Sequence, residues 1–228
     1  MAADIAFDLA LEHGRCIGVR IPEADADVDA LAGALAPAEH ARAMALPGPR
    51  RRTWTGGRMA MREALDRMAL PLEAVASDDR GAPVLPAGVA GSITHKERLA
   101  AALVAFETRA CLGVDVEIDV ARPLDIASRV LRDAELDELD GLDAAERARE
   151  VLLRFSAKEA IYKALDPFVR RYVEFKEMSV SPRPGGTALV TPYLRDGEGP
   201  FVIEVRWRRF DGIVLTTARI ERGAVLNV

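Results

Sequence analysis

Gly113-Val114-Asp115-Val116-Glu117-Ile118-Asp119 alternates apolar and acidic residues with a period of two. Side chains along a β-strand point to opposite faces in turn, so this stretch predicts a strand with two unlike faces. Val114, Val116 and Ile118 share the face that packs on a core. Asp115, Glu117 and Asp119 share the other. Neighbouring carboxylates on one strand face repel unless solvent or a cation screens them. The segment alone leaves two readings open: a half-exposed strand with a solvated acidic face, or a site for a hard cation. Mg²⁺ typically takes one or two carboxylates and completes its shell with water and phosphate oxygens.

The same strand carries the organisation of the chain. Its start, Cys111-Leu112-Gly113-Val114-Asp115-Val116, echoes Cys16-Ile17-Gly18-Val19-Arg20-Ile21. Downstream, Pro37-Ala38-Glu39 and Asp133-Ala134-Glu135 each open a helical stretch. Trp54 to Leu65 parallels Phe155 to Leu165, which sets Arg58 against Glu159 and Arg62 against Lys163. Leu99 to Phe106 parallels Ile213 to Ile220, both apolar strands. Four matches in one order predict two related halves, residues 1–108 and 109–228. A period this long is a duplicated domain and not a solenoid. The class is α+β, two similar α/β subdomains. The halves are expected to meet along a cleft, where ligands commonly bind. Helices are predicted over 49–69 and 144–165. Asp143 and Glu146 form a capping-box pattern at the start of the second, and Pro167 is expected to stop it. Asp211-Gly212 predicts a hairpin turn, and 81–91 reads as loop.

Composition narrows the function. The chain has 228 residues, half of them hydrophobic, with 31 Lys and Arg against 36 Asp and Glu, a net charge of −5. That balance argues against a nucleic-acid binder. No apolar run approaches the roughly 20 residues that span a bilayer. Asp4 and Asp8 stand where a signal peptide would carry basic and apolar residues. The two cysteines, Cys16 and Cys111, lie in apolar strand-like sequence and are expected to be reduced and buried, and no metal-type Cys/His spacing occurs. A cytoplasmic enzyme or binding protein is expected.

Three further constellations bear on chemistry. On the helix Phe155-Ser156-Ala157-Lys158-Glu159-Ala160-Ile161-Tyr162-Lys163, Glu159 falls between Leu152 and Phe155, with Lys163 one turn on. A carboxylate in an apolar stripe is informative, although an i,i+4 Glu–Lys pair on the rim of the stripe also accounts for it. Arg50, Arg51, Arg52, Arg58, Arg62 and Arg67 cluster in and around one helix, as a solvated basic face or a small-polyphosphate site. Gly91-Ser92-Ile93-Thr94-His95 places a histidine in what reads as a loop, either plain surface or a tunable donor near phosphate.

These pieces, in this order, resemble the 4′-phosphopantetheinyl transferases of the Sfp type, and most closely the branch of the enterobactin-synthetase component D enzymes. The family's Gly-x-Pro loop, Ser/Thr-His motif, Gly-x-Asp-x-Glu strand and Lys-Glu-Ala-x-x-Lys helix correspond to Arg80–Pro83, Ser92–His95, Gly113–Glu117 and Lys158–Lys163. The resemblance implies the family's fold, two similar α/β subdomains related by pseudo-two-fold symmetry, and Mg²⁺-dependent transfer of phosphopantetheine from coenzyme A to a serine of an apo acyl, aryl or peptidyl carrier protein, with release of adenosine 3′,5′-bisphosphate. It implies Asp115, Glu117 and Glu159 as ligands of Mg²⁺, with Mn²⁺ as an alternative ion. Glu159 is implied as the base, directly or through a metal-bound water, Lys163 as the group that neutralises the leaving nucleotide, and His95 as a pyrophosphate donor. Arg50, Arg52, Arg58, Arg80, Gly81, Ala82, Pro83, Thr94, Asp115 and Lys163 are implied in binding coenzyme A. Ala82 departs from the lysine common in relatives, where Arg80 can supply the charge. Thr94 replaces the commoner serine and Phe155 the commoner tryptophan. A cytoplasmic monomer serving a siderophore, polyketide or nonribosomal-peptide pathway is the implied setting, with no nucleic-acid or membrane partner. The rival readings are an Mg²⁺-dependent nucleotide pyrophosphohydrolase and a non-catalytic coenzyme A-binding module.

Overall fold

The computed structural model describes residues 2–70, 74–120 and 126–224. The chain divides into two compact units, Met1–Thr108 and Arg109–Val228.

In unit 1, β1 (Asp4–Leu11) and β2 (Gly14–Arg20) form a hairpin. Three helices follow: α1 (Asp25–Ala32), α2 (Pro37–Met44) and α3 (Gly48–Arg67). A two-residue ladder of β3 (Ala76–Ser77) and β4 (Pro83–Val84) leads to β5 (Val89–Lys96) and β6 (Leu99–Phe106). The four-stranded antiparallel sheet has the order β1-β2-β6-β5. Ile17 and Val19 of β2, Ile21 just after it, and Ala100, Ala102 and Val104 of β6 form one core with Met61, Ala64 and Leu65 of α3. Fully burying a side chain the size of Leu65 contributes about 1.5–3 kcal/mol.

Unit 2 repeats the plan. After β7 (Ala110–Ile118) come the short helices α4 (Ala127–Val130) and α5 (Asp133–Asp137), then the long α6 (Ala144–Val169). A 3₁₀ turn at Phe175–Glu177 precedes β8 (Met178–Arg183), β9 (Thr187–Pro192), β10 (Phe201–Phe210) and β11 (Ile213–Arg222). The sheet order is β7-β11-β10-β9-β8. In each unit, the strand before the helices pairs with the last strand, which pairs with the one before it: β2-β6-β5 and β7-β11-β10. The expected hairpin turns at Asp211 (φ 47°) and Gly212 (φ 74°), two left-handed residues that suit the strand twist. The Asp143 carboxylate accepts from the Ala145 and Glu146 amides, and Glu146 caps back to Asp143, as the pattern predicted.

The echo holds at the level of strand order and fails in phase. Ile17 and Val19 of β2 face α3. In β7 the helix-facing residues are Gly113, beneath Ala160, and Asp115, bonded to Ser156 and Lys163. Matching Gly18 to Gly113 therefore pairs opposite faces. Gly18 makes room for the Phe7 ring, and Gly113 makes room for a helix.

Three other expectations are corrected. Pro167 does not end α6, which runs to Val169 and closes at Arg170 in the left-handed region (φ 48°). Proline removes only its own amide donor, and here Phe168 and Val169 pack on the unit 2 core, Phe168 with its ring centroid 5.4 Å from that of Phe201. Gly91–His95 lies within β5 and not in a loop, paired residue by residue with Val104 to Ala100 of β6, and the expected 81–91 loop is interrupted by Pro83–Val84 and by the start of β5 at Val89. Cys16 is buried as expected, but Cys111, at the start of β7, is only half-buried. Among the described residues, no helix is long and apolar enough to cross a membrane.

Candidate active site

The acidic strand of unit 2 is buried on both faces. Asp115 is 5% and Glu117 7% exposed, against 0% for Val114 and 1% for Val116. A solvated acidic face is thereby excluded. The Lys163 ammonium donates to Asp115 Oδ1 at 2.9 Å and to the Val114 carbonyl at 2.9 Å. Ser156 Oγ donates to Asp115 Oδ2 at 2.8 Å. Both carboxylate oxygens are thus gripped from α6, by residues seven positions apart on one helix face.

Gly113 makes this approach possible. A Cβ there would lie 1.8 Å from the Ala160 carbonyl oxygen and 3.0 Å from the Ala164 amide. A helix backbone cannot yield as a side chain can. Gly113→Ala is expected to lower stability by about 1–3 kcal/mol and to cut activity by pushing Ser156 and Lys163 away from Asp115. Thermal melts and rate measurements on the purified variant check both effects; wild-type values for both would contradict this account of the glycine.

The remaining acidic residues part company. Asp119 sits 3.5 Å from Arg209 Nε and belongs to that pair. Glu159 lies one helical step from the Ser156–Lys163 strip, half-buried, on a small cavity lined by Lys158, Tyr162, Tyr172 and Phe175. Among the described residues, no three of His, Cys, Asp and Glu are preassembled as a metal cage. Asp115 and Glu117 share one buried strand face and offer hard oxygen donors. They fit an ion that takes two carboxylates and completes its shell with water and phosphate.

Lys158, the first lysine of the helix motif, does different work. It is 2% exposed and donates to Glu135 Oε2 at 2.6 Å and to the Val130 carbonyl at 2.8 Å. Glu135, 0% exposed, also accepts from the amides of Arg132 and Val180. Burial pushes the Lys158 ammonium below its ordinary pKa, and the hydrogen bond and charge of Glu135 oppose that shift. The pair ties α4, α5 and β8 to α6.

Unit 1 shows a parallel grip. Glu39 on α2, 3% exposed, accepts from Arg62 on α3 at 3.1 Å. Arg58 is also buried, at 3%, with its guanidinium 5.0 Å from the centre of the Trp54 ring and Nη2 on Ser77 Oγ at 2.5 Å. Its Nη1 is buried with no hydrogen-bond partner among the described residues. Burial draws its pKa down, opposed by the charge of Glu39. Ser77 belongs to the ladder that carries Arg80–Pro83, so Arg58 anchors that loop to α3. Asp78 shapes the loop tip by accepting from the Arg80 and Ala82 amides, with Gly81 at φ +90°. Arg80 is exposed. Of the arginine run, Arg51 pairs with Asp29 and Arg52 with Asp25, each at 2.8 Å. Arg50 is exposed and has no side-chain partner among the described residues. Thr94 is buried on β5, and the neighbouring His95 is exposed opposite Ala100, on the side of the sheet that α3 covers.

Sequence reasoning missed Ser156, Thr216, and the Lys158–Glu135 pair. Thr216-Thr217, polar residues interrupting the apolar run from Ile213 to Ala218, were the available signal for the second.

Comparison with known proteins bears on both units. The profile of the 4′-phosphopantetheinyl transferase N-terminal domain matches residues 37–105, and that of the 4′-phosphopantetheinyl transferase superfamily matches residues 111–218. The 4′-phosphopantetheinyl transferase Npt of Nocardia iowensis is 34% identical over 181 residues, 73% of this chain and 81% of the relative. The 4′-phosphopantetheinyl transferase Svp of Streptomyces mobaraensis is 33% identical over 174 residues, 72% of this chain and 69% of the relative. Among solved structures, a holo-(acyl-carrier-protein) synthase from Bacillus anthracis in complex with CoA (3′,5′-ADP) aligns with 49% of this chain and 96% of that one, at 20% identity and a TM-score of 0.41.

Proposed function

The chain belongs to the 4′-phosphopantetheinyl transferase superfamily, and from that premise we propose that it moves the 4′-phosphopantetheine of coenzyme A onto a serine of an apo acyl, aryl or peptidyl carrier protein. The proposal places it with the Sfp type, on the enterobactin-synthetase component D branch, acting as a cytoplasmic monomer. The observation that carries the reading is the buried Asp115 carboxylate, held at one oxygen by Lys163 of the Lys-Glu-Ala-x-x-Lys helix and at the other by Ser156. It joins the acidic strand and the motif helix at one atom group.

In the proposed reaction, the carrier serine oxygen forms a bond to the phosphopantetheine phosphorus. The bond from that phosphorus to the bridging pyrophosphate oxygen breaks, and adenosine 3′,5′-bisphosphate leaves. Glu159 accepts the serine proton, and its half-buried position suits a base that must meet a second protein. Asp115 and Glu117, with Glu159 as a third ligand, would hold Mg²⁺, which offsets the charge that grows on the pyrophosphate as the bond breaks. Lys163 fixes the Asp115 carboxylate and adds positive charge beside it.

In unit 1 the proposed coenzyme A-binding groups are the exposed Arg50, Arg80 and His95, together with Arg52, while Arg58 and the turn Gly81-Ala82-Pro83 hold Arg80 in place. The buried Thr94 hydroxyl supports the strand end that carries His95. Arg50→Glu is expected to weaken coenzyme A about tenfold more than dephospho-coenzyme A, because one charge-assisted contact to the 3′-phosphate is lost. Titration calorimetry with both ligands checks this, and equal losses would move Arg50 away from the 3′-phosphate. Added salt should weaken both ligands, since these contacts are exposed to screening.

Nucleotide release separates transfer from hydrolysis. Adenosine 3′,5′-bisphosphate should appear only when an apo-carrier is present. Its release from coenzyme A without a carrier would favour a pyrophosphohydrolase.

A further inference from the structure

Asp115 is held by a chain of hydroxyls that extends beyond the family motifs. Thr216 on β11 is the direct cross-strand neighbour of Asp115 in the sheet register. Ser156, Thr216 and Asp115 are 0%, 0% and 5% exposed. Ser156 Oγ lies 2.8 Å from Asp115 Oδ2 and 2.9 Å from Thr216 Oγ1, and Thr216 Oγ1 also donates to the Ser156 carbonyl at 2.9 Å.

Counting protons orders the chain. An ionised carboxylate only accepts, and each hydroxyl has a single proton to give. The Ser156 proton is therefore committed to Asp115 Oδ2. The contact between the two hydroxyls must then use the Thr216 proton, which is shared between Ser156 Oγ and the Ser156 carbonyl. Donation runs one way, from Thr216 to Ser156 to Asp115. A donor whose own acceptor sites are engaged is a stronger donor. The next strand, the helix and the acidic strand each supply one group, so the carboxylate cannot rotate without breaking its contact to Ser156 on α6, which Thr216 on β11 in turn holds.

We propose that Ser156 and Thr216 are positioning residues for the transfer reaction, fixing the plane of the Asp115 carboxylate so that its remaining lone pairs keep one direction; this rests on the transferase reading above. Neither residue touches substrate. Thr216 acts only through Ser156, and Ser156 only through Asp115.

The test is a double-mutant cycle read by rate and by stability. Thr216→Val keeps the shape and removes the donor. It is expected to lower kcat about tenfold, with the KM for coenzyme A within about twofold of wild type, because a misaligned group near the chemistry costs rate more than binding. Thr216→Ser restores the hydroxyl and should recover most of that loss. Ser156→Ala should cost at least as much as Thr216→Val. The double variant should be no slower than Ser156→Ala alone, since the two act in series. Losses that multiply, an unchanged kcat in Thr216→Val, or no recovery in Thr216→Ser would each overturn the proposal. Urea melts of Thr216→Val, Asp115→Asn and their combination give a second readout that needs no activity. Their stability losses should fail to add, and full additivity would overturn the proposal. Failure of the wild type to modify any carrier would instead refute the transferase reading, and the stability cycle would still decide whether the hydroxyl chain grips Asp115.

Discussion

Asp115→Asn is expected to lower phosphopantetheine transfer by at least about 10²-fold while the chain still folds. The carboxylate is nearly isosteric with the amide, so packing against α6 is kept. Its charge is lost, and the amide nitrogen must face either the Lys163 ammonium or the Ser156 hydroxyl, both of which donate to the carboxylate. One donor facing another in a buried site costs about 1–3 kcal/mol of stability. The variant should therefore melt lower than wild type, in one cooperative transition. Asp115→Ala should cost more stability, because Lys163 and Ser156 both lose an acceptor. Single-turnover transfer with saturating coenzyme A, alongside circular dichroism, separates the two effects. A rate within threefold of wild type would remove Asp115 from the chemistry. Wild-type turnover in excess EDTA would remove the proposed Mg²⁺ ion.

The second large effect falls on stability. Lys158→Met should destabilise unit 2 by about 3–5 kcal/mol, because it leaves the fully buried Glu135 without its cation. Among the described residues, Glu135 would retain the amides of Arg132 and Val180. Adding Glu135→Gln to Lys158→Met should recover part of the loss, since no charge is then left buried and unpaired while the side chain can still accept from the Arg132 or Val180 amide. Urea unfolding of the single and double variants measures this. A single variant that costs less than about 1 kcal/mol would place Lys158 in a wetter setting than the geometry describes.

Much of the scaffold was legible because it depends on local rules. Asp211-Gly212 is a two-residue turn that needs left-handed backbone, and Asp143 with Glu146 satisfies helix-end amides within four residues. The duplicated plan showed through because each half repeats the same succession of strand, helices and strands. The phase of the echo was not legible. Gly18 and Gly113 look equivalent in sequence, yet which face a strand turns to its helix is set by the helix and by neighbours such as Phe7, far away along the chain. Pro167 misled for a related reason: local sterics favour a stop, and the packing of Phe168 against Phe201 outweighs them.

The candidate site was legible in its residue types and not in its connections. Alternation correctly gathered Asp115 and Glu117 on one face. It could not reveal that this face lies beneath α6, since burial on both faces comes from tertiary packing. Lys158 and Lys163 look alike in the motif. One is sealed against Glu135 and the other reaches Asp115, a difference made by five residues of helical rotation. The arginine run looked uniform, yet Arg51 and Arg52 are engaged by Asp29 and Asp25 of α1 and Arg50 is not. Such choices depend on residues more than 20 positions away, which no local pattern encodes.

The central claim is that this chain modifies carrier proteins, and intact-mass measurement of the carrier tests it most directly. A panel of apo acyl, aryl and peptidyl carriers is incubated with the protein, coenzyme A and Mg²⁺. At least one carrier should gain the mass of a single phosphopantetheine, and the gain should vanish when that carrier's acceptor serine is replaced by alanine. Carriers of unchanged mass across the panel, with coenzyme A either cleaved in solution or bound and intact, would contradict the account.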